Sequence, residues 1–352
     1  TSCETVTGVQ TCALPISAAG GYAFIRTEPN TRPVIDSLDG VLRNFARIWE
    51  LDLPITVLPK CALTLEQRGE ALVDIQEIRA RAPWIRFSSD GEPVADRELL
   101  LRAIRLAGGE VFIDLHCEET PRSAARVTQA LGFGAPMARE AELIRLAISA
   151  LEEAGFGKLH LQHVSLAESV SRIADAKRRG MTLTAEVAPH HLLLCAEDIP
   201  QRGGGPDANW KMNPPLRCRA DMLAVRRGLA DGTLDYLATD HAPHTPAEKA
   251  QPWDDAPLGV IGLETAFGAA MTLVHAGELS FDRLIAAMTP GADRGELPNV
   301  TLVDPDAVWT VEPGRFYSKS RNCPFAGMTF TGKPVYTIAN GRVVMAEGEV
   351  VF

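Results

Sequence analysis

Leu234-Asp235-Tyr236-Leu237-Ala238 runs directly into Thr239-Asp240-His241-Ala242-Pro243-His244, and this junction decides how the chain is read. The apolar run predicts a strand. An Asp and two His at its exit are the polar cluster that a parallel barrel places where metal ligands and proton carriers are needed. Moving outward, the same arrangement recurs. Apolar runs at Tyr22–Arg26, Ile55–Leu58, Ile85–Ser88, Val111–Leu115, Leu159–His163 and Leu183–Val187 predict further strands. Their exits carry Glu28-Pro29-Asn30-Thr31, Ser89-Asp90-Gly91, His116-Cys117-Glu118-Glu119, His163-Val164-Ser165 and Pro189-His190-His191.

Between the strands, apolar residues three and four apart predict helices over Val41–Leu51, Leu65–Arg79, Arg97–Ala107, Arg139–Glu153, Ala167–Arg179 and Met222–Leu229. Alternating strands and helices argue for parallel βα units. The strand number is one short of the eight at which such a barrel closes, so the expected fold is an α/β, TIM-like (β/α)₈ barrel lacking its first strand. A doubly wound open sheet is the alternative, disfavoured because no Gly-rich phosphate loop follows any strand. A helical stretch follows Leu263-Glu264-Thr265-Ala266 and runs to Met288. Beyond Asn299, alternating segments at Val300–Val303, Ala307–Val311, Val335–Ile338 and Val343–Val351 predict a small β appendage. The expected division is barrel over 18–298 and appendage over 299–352. Thr1–Ser17 has no apolar period and no signal-peptide pattern, and it reads as a foreign, non-native segment.

Composition narrows the function. The net charge of −10 over 352 residues argues against bulk nucleic-acid binding, which needs clustered Lys and Arg. It leaves room for an anionic small substrate held by local cations. No apolar run reaches the ~18 residues of a membrane span. The cysteines number seven and show no paired spacing, which fits a reducing cytoplasm. Cys117 reads as a buried small apolar residue.

His and Asp closing several different parallel strands are hard to attribute to packing. Imidazole and carboxylate are the ligands of a hydrolytic Zn²⁺ ion, which makes hydroxide available near neutral pH. A nearby carboxylate can take the proton and return it to a departing nitrogen, and Asp240 suits that role.

Ala18-Ala19-Gly20-Gly21 through Glu28-Pro29-Asn30-Thr31, then Phe87-Ser88-Ser89-Asp90-Gly91, Asp114-Leu115-His116-Cys117-Glu118 and His160-Leu161-Gln162-His163-Val164-Ser165 are followed by Glu186-Val187-Ala188-Pro189-His190-His191, Asn213-Pro214-Pro215-Leu216-Arg217, Asp240–His244 and Gly259-Val260-Ile261-Gly262-Leu263-Glu264-Thr265. This ordered set resembles the dihydroorotases of the bacterial and multifunctional type, amidohydrolase-superfamily enzymes of pyrimidine synthesis. The late tract Ser318–Phe325 also resembles that family. The resemblance implies interconversion of dihydroorotate and N-carbamoyl-aspartate. It implies His116 and His163 as ligands of one metal, Asp90 as a bridging carboxylate, and Asp240 as ligand and proton shuttle of another metal. It implies Asn30 and His244 on the substrate carboxylate, and Asn213 and the Pro257–Gly262 loop, with Pro257 and Gly259, on the ring amides. His160 reads as structural, His190 and His191 as supporting groups, and His275 as unrelated to the site.

Two departures stand out. The family shows two consecutive Asp where this chain has Ser89-Asp90, and the family's His-x-His strand, followed by Arg, is absent. The resemblance therefore implies at most one zinc ion here and impaired turnover. Two other readings stay open: a dihydropyrimidinase, hydantoinase or allantoinase, and a non-catalytic scaffold for aspartate carbamoyltransferase. The expected partners are a small-molecule substrate and, through the family, a second copy in a homodimer or the carbamoyltransferase.

Overall fold

Leu183-Thr184-Ala185-Glu186-Val187 alternates between fully and partly buried side chains, while Leu159-His160-Leu161 is buried throughout. Strands covered on both faces read this way in parallel sheets. The computed structural model describes residues 14–118, 139–202, 205–289 and 299–352. In chain order its strands are β1 (Phe24–Thr27), β2 (Thr56–Pro59), β3 (Cys61–Ala62), β4 (Phe87–Ser88), β5 (Ile113–Leu115), β6 (Leu159–Leu161), β7 (Leu183–Val187), β8 (Gln201–Arg202), β9 (Gly205–Pro206) and β10 (Tyr236–Leu237). The appendage adds β11 (Val300–Thr310), β12 (Thr329–Ala339), β13 (Arg342–Ala346) and β14 (Glu349–Val350).

One parallel sheet has the order β10-β7-β6-β5-β4-β3, and β1 pairs in parallel with β2. β2 and β3 form one extended run interrupted at Lys60, so the array continues from β4 through β3 and β2 to β1. Every strand neighbours the next strand of the array in sequence. A doubly wound sheet reverses its strand order at a switch point, whereas this order runs one way, as in a barrel. An isolated parallel bridge between His241 and Val260 extends the arc beyond β10. Among the described residues β1 and β10 are not paired, so the arc is open and no closed barrel is formed. At the gap, Gly20 lies so close to Leu263 that a Cβ there would stand 2.3 Å from its carbonyl oxygen.

Helix Arg97–Ala107 shows how local chemistry sets the elements. Asp96 accepts from the Glu98 and Leu99 amides, Gly108 ends the helix at φ 71°, and Leu100, Leu101, Ala103, Ile104 and Ala107 face the core. The single helix expected over Leu65–Arg79 is instead a 3-10 turn, Leu65–Gln67, and a helix, Ile75–Arg81. Glu66 and Gln67 have φ of 53° and 57°, and Asp74 caps afresh by accepting from the Glu77 amide. Capping chemistry overrides the apolar period there.

The appendage is an antiparallel sheet of order β11-β12-β13-β14. β11 is one strand where the sequence suggests two, because register shifts at Leu302/Val303 and Asp304/Val308 absorb the irregular middle. Helix Ala266–His275 packs against it, with Gly268 facing Trp309 and Phe330 and Gly332 facing Met271. Of the segment Thr1–Ser17, residues 1–13 lie outside the described residues. Residues 14–19 are helical, with Leu14, Ile16 and Ser17 buried, so the packed chain begins before the boundary drawn at Ala18. No helix among the described residues is long and apolar enough to cross a membrane.

Candidate active site at the strand ends

His116 leaves β5 and His163 leaves the neighbouring β6, and the two rings meet edge to face, His116 Nδ1 lying 3.0 Å from His163 Nε2. Glu118 Oε2 is 3.2 Å from His163 Nε2, and Glu118 Oε1 is 3.8 Å from His116 Nδ1. Asp90 Oδ1, after β4, is 3.9 Å from the same Nδ1. One ligand atom from each of His116, Glu118 and His163 lies within 4.8 Å of the others, and all three residues are buried. Two facing imidazole nitrogens need something positive between them. A proton on either ring can fill that role. Burial alone would lower the pKa of His116, but Glu118, Glu28 and Asp90 hold it well above the usual range, while burial and the charge on His116 push His163 well below. A divalent ion would compete for the same nitrogens. The donor set of two imidazoles and a carboxylate suits Zn²⁺, whose tetrahedral ligands stand roughly 3.3 Å apart for metal–nitrogen bonds of about 2.0–2.1 Å.

Two backbone features mark the site. His163 and Asp240 have φ of 36° and 44°, in a region that costs a non-glycine residue ~1–3 kcal/mol and clusters at functional positions. The bend after His163 is held by Glu140, which is buried and accepts from the Ser165 amide at 3.0 Å, the Leu166 amide at 3.1 Å and the Ser165 hydroxyl. Arg217 pairs with Glu140 at 3.4 Å and donates to Ser165 Oγ at 2.9 Å.

Asp240 lies 3.6 Å from His190 Nε2. Burial, then the charges of Glu118, Glu186 and Asp90, raise its carboxyl well above the ordinary range, against the opposing pull of His116. It therefore shares one electrostatic neighbourhood with His116 and Glu118. Ser89 sends its hydroxyl to the His116 amide, which donates to it at 3.0 Å, and stays outside the ligand group. Gln67 Nε2 donates to Asp90 Oδ2 at 3.1 Å.

The groups assigned to the substrate form a second set. His244 Nε2 donates to the Leu258 carbonyl at 2.7 Å. Gly259, at φ 126°, packs against Ala242 and His244, and its amide donates to the Lys211 carbonyl. Asn322 ties this loop down by donating to the Ala242 and Gly259 carbonyls. Lys249 Nζ donates to the carbonyls of Pro257, Ala208 and Lys211. Asn213 precedes a cis peptide to Pro214. Asn30 is exposed after β1. His160 is held by Thr184 Oγ1 at 2.9 Å and Glu186 Oε2 at 2.8 Å, His191 donates to the Pro214 carbonyl, and His275 lies against the Pro305 carbonyl.

The sequence reading does not assign Glu118 to the ligand group, nor does it anticipate the charged layer beneath it. Lys60 Nζ bridges Glu28 Oε1 at 2.5 Å and Asp114 Oδ2 at 3.0 Å, and Arg86 pairs with Asp114. Lys60 and Asp114 are buried polar residues on or beside strands. That is an available signal, since buried charges are paired or functional.

No family model matches the chain. It is 41% identical over 356 residues to a dihydroorotase of Pelotomaculum thermopropionicum, covering 94% of this chain and 80% of that one. It is 40% identical over 354 residues to a dihydroorotase of Halalkalibacterium halodurans, covering 95% and 81%. Among solved structures, an L-hydantoinase (dihydropyrimidinase) from Arthrobacter aurescens superposes with a TM-score of 0.81 at 24% identity, covering 96% of this chain and 81% of that one. A dihydroorotase from Saccharomyces cerevisiae gives 0.72 at 16%, covering 92% of each. These structural likenesses establish the fold alone.

Proposed function

The chain belongs to the dihydroorotase family, and from that premise we propose that it opens and closes the cyclic amide of dihydroorotate, interconverting the ring with N-carbamoyl-aspartate. The observation that carries the reading is the meeting of His116, His163 and Glu118 in one buried group, with Asp90 and Asp240 in its field. His116, His163 and Glu118 would hold a divalent cation, zinc by the chemistry of the donor set, with Asp90 beside them. When bound, such an ion supplies Lewis acidity, activating water and polarising the ring carbonyl. Asp240 takes the proton of the attacking water and returns it to the departing ring nitrogen. His244 and the loop carrying Pro257 and Gly259 grip the ring and its carboxylate, with Asn213 and Asn30 in the roles the family implies. Their contribution is orientation, which is worth several orders of magnitude when it sets a near-attack geometry.

The test ranks substrates rather than reading one absolute rate. The zinc-supplied chain is assayed with dihydroorotate, N-carbamoyl-aspartate, hydantoin and dihydrouracil. Preference for the first two is expected, with Asp240→Ala abolishing it and His244→Ala chiefly raising KM. A chain that opens hydantoin or dihydrouracil while ignoring both acidic substrates overturns the proposal. Metal analysis should find at most one ion per chain, weakly held and held more weakly still, though not abolished, in His116→Ala. Two tightly held ions would contradict the single-ion site.

A further inference from the structure

The two nitrogens of His116 face different surroundings. Nδ1 looks toward His163, Glu118 and Asp90, at 3.0, 3.8 and 3.9 Å. Nε2 is buried with no hydrogen-bond partner, and the carboxylate facing it is Glu28, whose Oε2 stands 3.7 Å away. An imidazole that ligates through one nitrogen needs its proton on the other, and it almost always gives that proton to a carboxylate, a carbonyl or water. We infer that Glu28 is a positioning residue for the ion site, accepting the Nε2–H of His116 and so fixing the ring with Nδ1 toward His163 and Glu118. The inference rests on the ion site proposed above and adds a residue to which neither the sequence nor the family resemblance gave a role.

Glu28 is built for this task. Lys60 Nζ and Gln162 Nε2 donate to its Oε1 at 2.5 and 2.9 Å, and the Ser88 hydroxyl donates to its Oε2 at 2.6 Å. Donors from three different strand ends therefore lock the carboxylate in place. It stays anionic in a balanced group, because Lys60 and Arg86 match Glu28 and Asp114. Were Glu28 only a counter-ion for Lys60, Oε1 would suffice, since Asp114 already pairs with the same ammonium. Oε2 is the atom that Ser88 steers toward His116. Ser88 Oγ also accepts from the Asp90 amide at 3.2 Å, so the group that orients His116 also braces the loop bearing Asp90.

The test is zinc affinity of the full chain, measured by competition with a chromophoric chelator. Loss of such an outer partner typically weakens metal binding about 10–100-fold, and Glu28→Ala should fall in that range. Glu28→Gln guards against a folding defect, because it keeps the shape and an acceptor oxygen. It should lose less, yet measurably. The decisive arm repeats Glu28→Gln in a His116→Ala background. If Glu28 acts through His116, its effect on the residual affinity disappears there. An equal loss in both backgrounds overturns the inference, as does wild-type affinity in both Glu28 variants. Failure of the wild-type chain itself to bind zinc refutes the ion site and, with it, this assignment.

Discussion

Gly259→Ala probes the tightest approach in the proposed substrate loop. Gly259 sits at φ 126°, where an L side chain is strained by about 1–3 kcal/mol. A methyl group there would stand 2.6 Å from Ala242 Cβ and 3.1 Å from His244 Nε2. Ala242 cannot retreat cheaply, because its amide donates to the Val260 carbonyl at 2.8 Å and its carbonyl accepts from Asn322 at 2.9 Å. The loop must swing out instead and stretch the bond from His244 to the Leu258 carbonyl. Overpacking of this kind costs about 1–3 kcal/mol and a lost hydrogen bond about 1 kcal/mol, so with the backbone strain a total of about 3–7 kcal/mol is expected. Gly155→Ala is the control. Gly155 has φ 70°, and a methyl group placed on it would meet nothing within 4 Å, so only the left-handed strain of about 1–2 kcal/mol applies. Urea unfolding of both variants, compared through midpoint and slope, measures the difference. Equal losses in the two variants would show that the close packing of Gly259 on Ala242 carries no energy, and the reasoning would fail.

Glu140→Ala leaves Arg217 buried beside a vacated carboxylate site and removes the acceptor of the Ser165 and Leu166 amides. A stability loss of about 3–5 kcal/mol is expected in urea, together with weaker zinc binding because the bend after His163 loosens. Burial beside Lys211 pulls the Lys249 ammonium down to about 7 in the folded chain, from 10.5. Between those values the unfolded chain holds the extra proton, so this group makes stability rise as pH goes from about 7 toward 10. Lys249→Met should flatten that rise in urea midpoints taken at about pH 7 and 9.5, and an unchanged pH profile would count against it. His244 gives its Nε2–H to the Leu258 carbonyl, and burial lowers its pKa. To pair with a substrate carboxylate its Nδ1 must take up a proton. Calorimetry in buffers of different ionisation enthalpy should show proton uptake on binding, absent in His244→Ala.

Much of this was legible in the sequence. Helix Arg97–Ala107 has the bounds that its period, its Asp cap and its terminal glycines dictate. β7 likewise follows its alternation. His116 and His163 each follow an apolar run, as do Asp90 and Asp240, and the parallel strands bring His116, His163 and Asp90 to one end of the arc. The sequence could not say that Glu118 turns back onto His163, since that depends on the path of the chain after β5. Nor could it pair Lys60 with both Glu28 and Asp114, whose carboxylates come from separate strands and meet only once the arc is curved. The failure over Leu65–Arg79 has a different origin: two residues at positive φ broke an apolar period that was otherwise helical.

The group of His116, Glu118 and His163 hangs on two adjacent strands, β5 and β6, whereas the loop assigned to the ring is anchored by Asn322 from the C-terminal tract and by Lys211 and Lys249. The two groups are held by different elements and meet at the 240–244 tract, which carries both Asp240 and His244 and packs on Gly259. Replacements around 253–259 or 322 can reshape which ring is accepted while the cluster of His116, Glu118 and His163 goes untouched. On the proposed roles, the group that would hold the ion and the loop that would meet the ring are tied down mainly by different residues. That division would let one cyclic-amide hydrolase drift toward another by loop change alone.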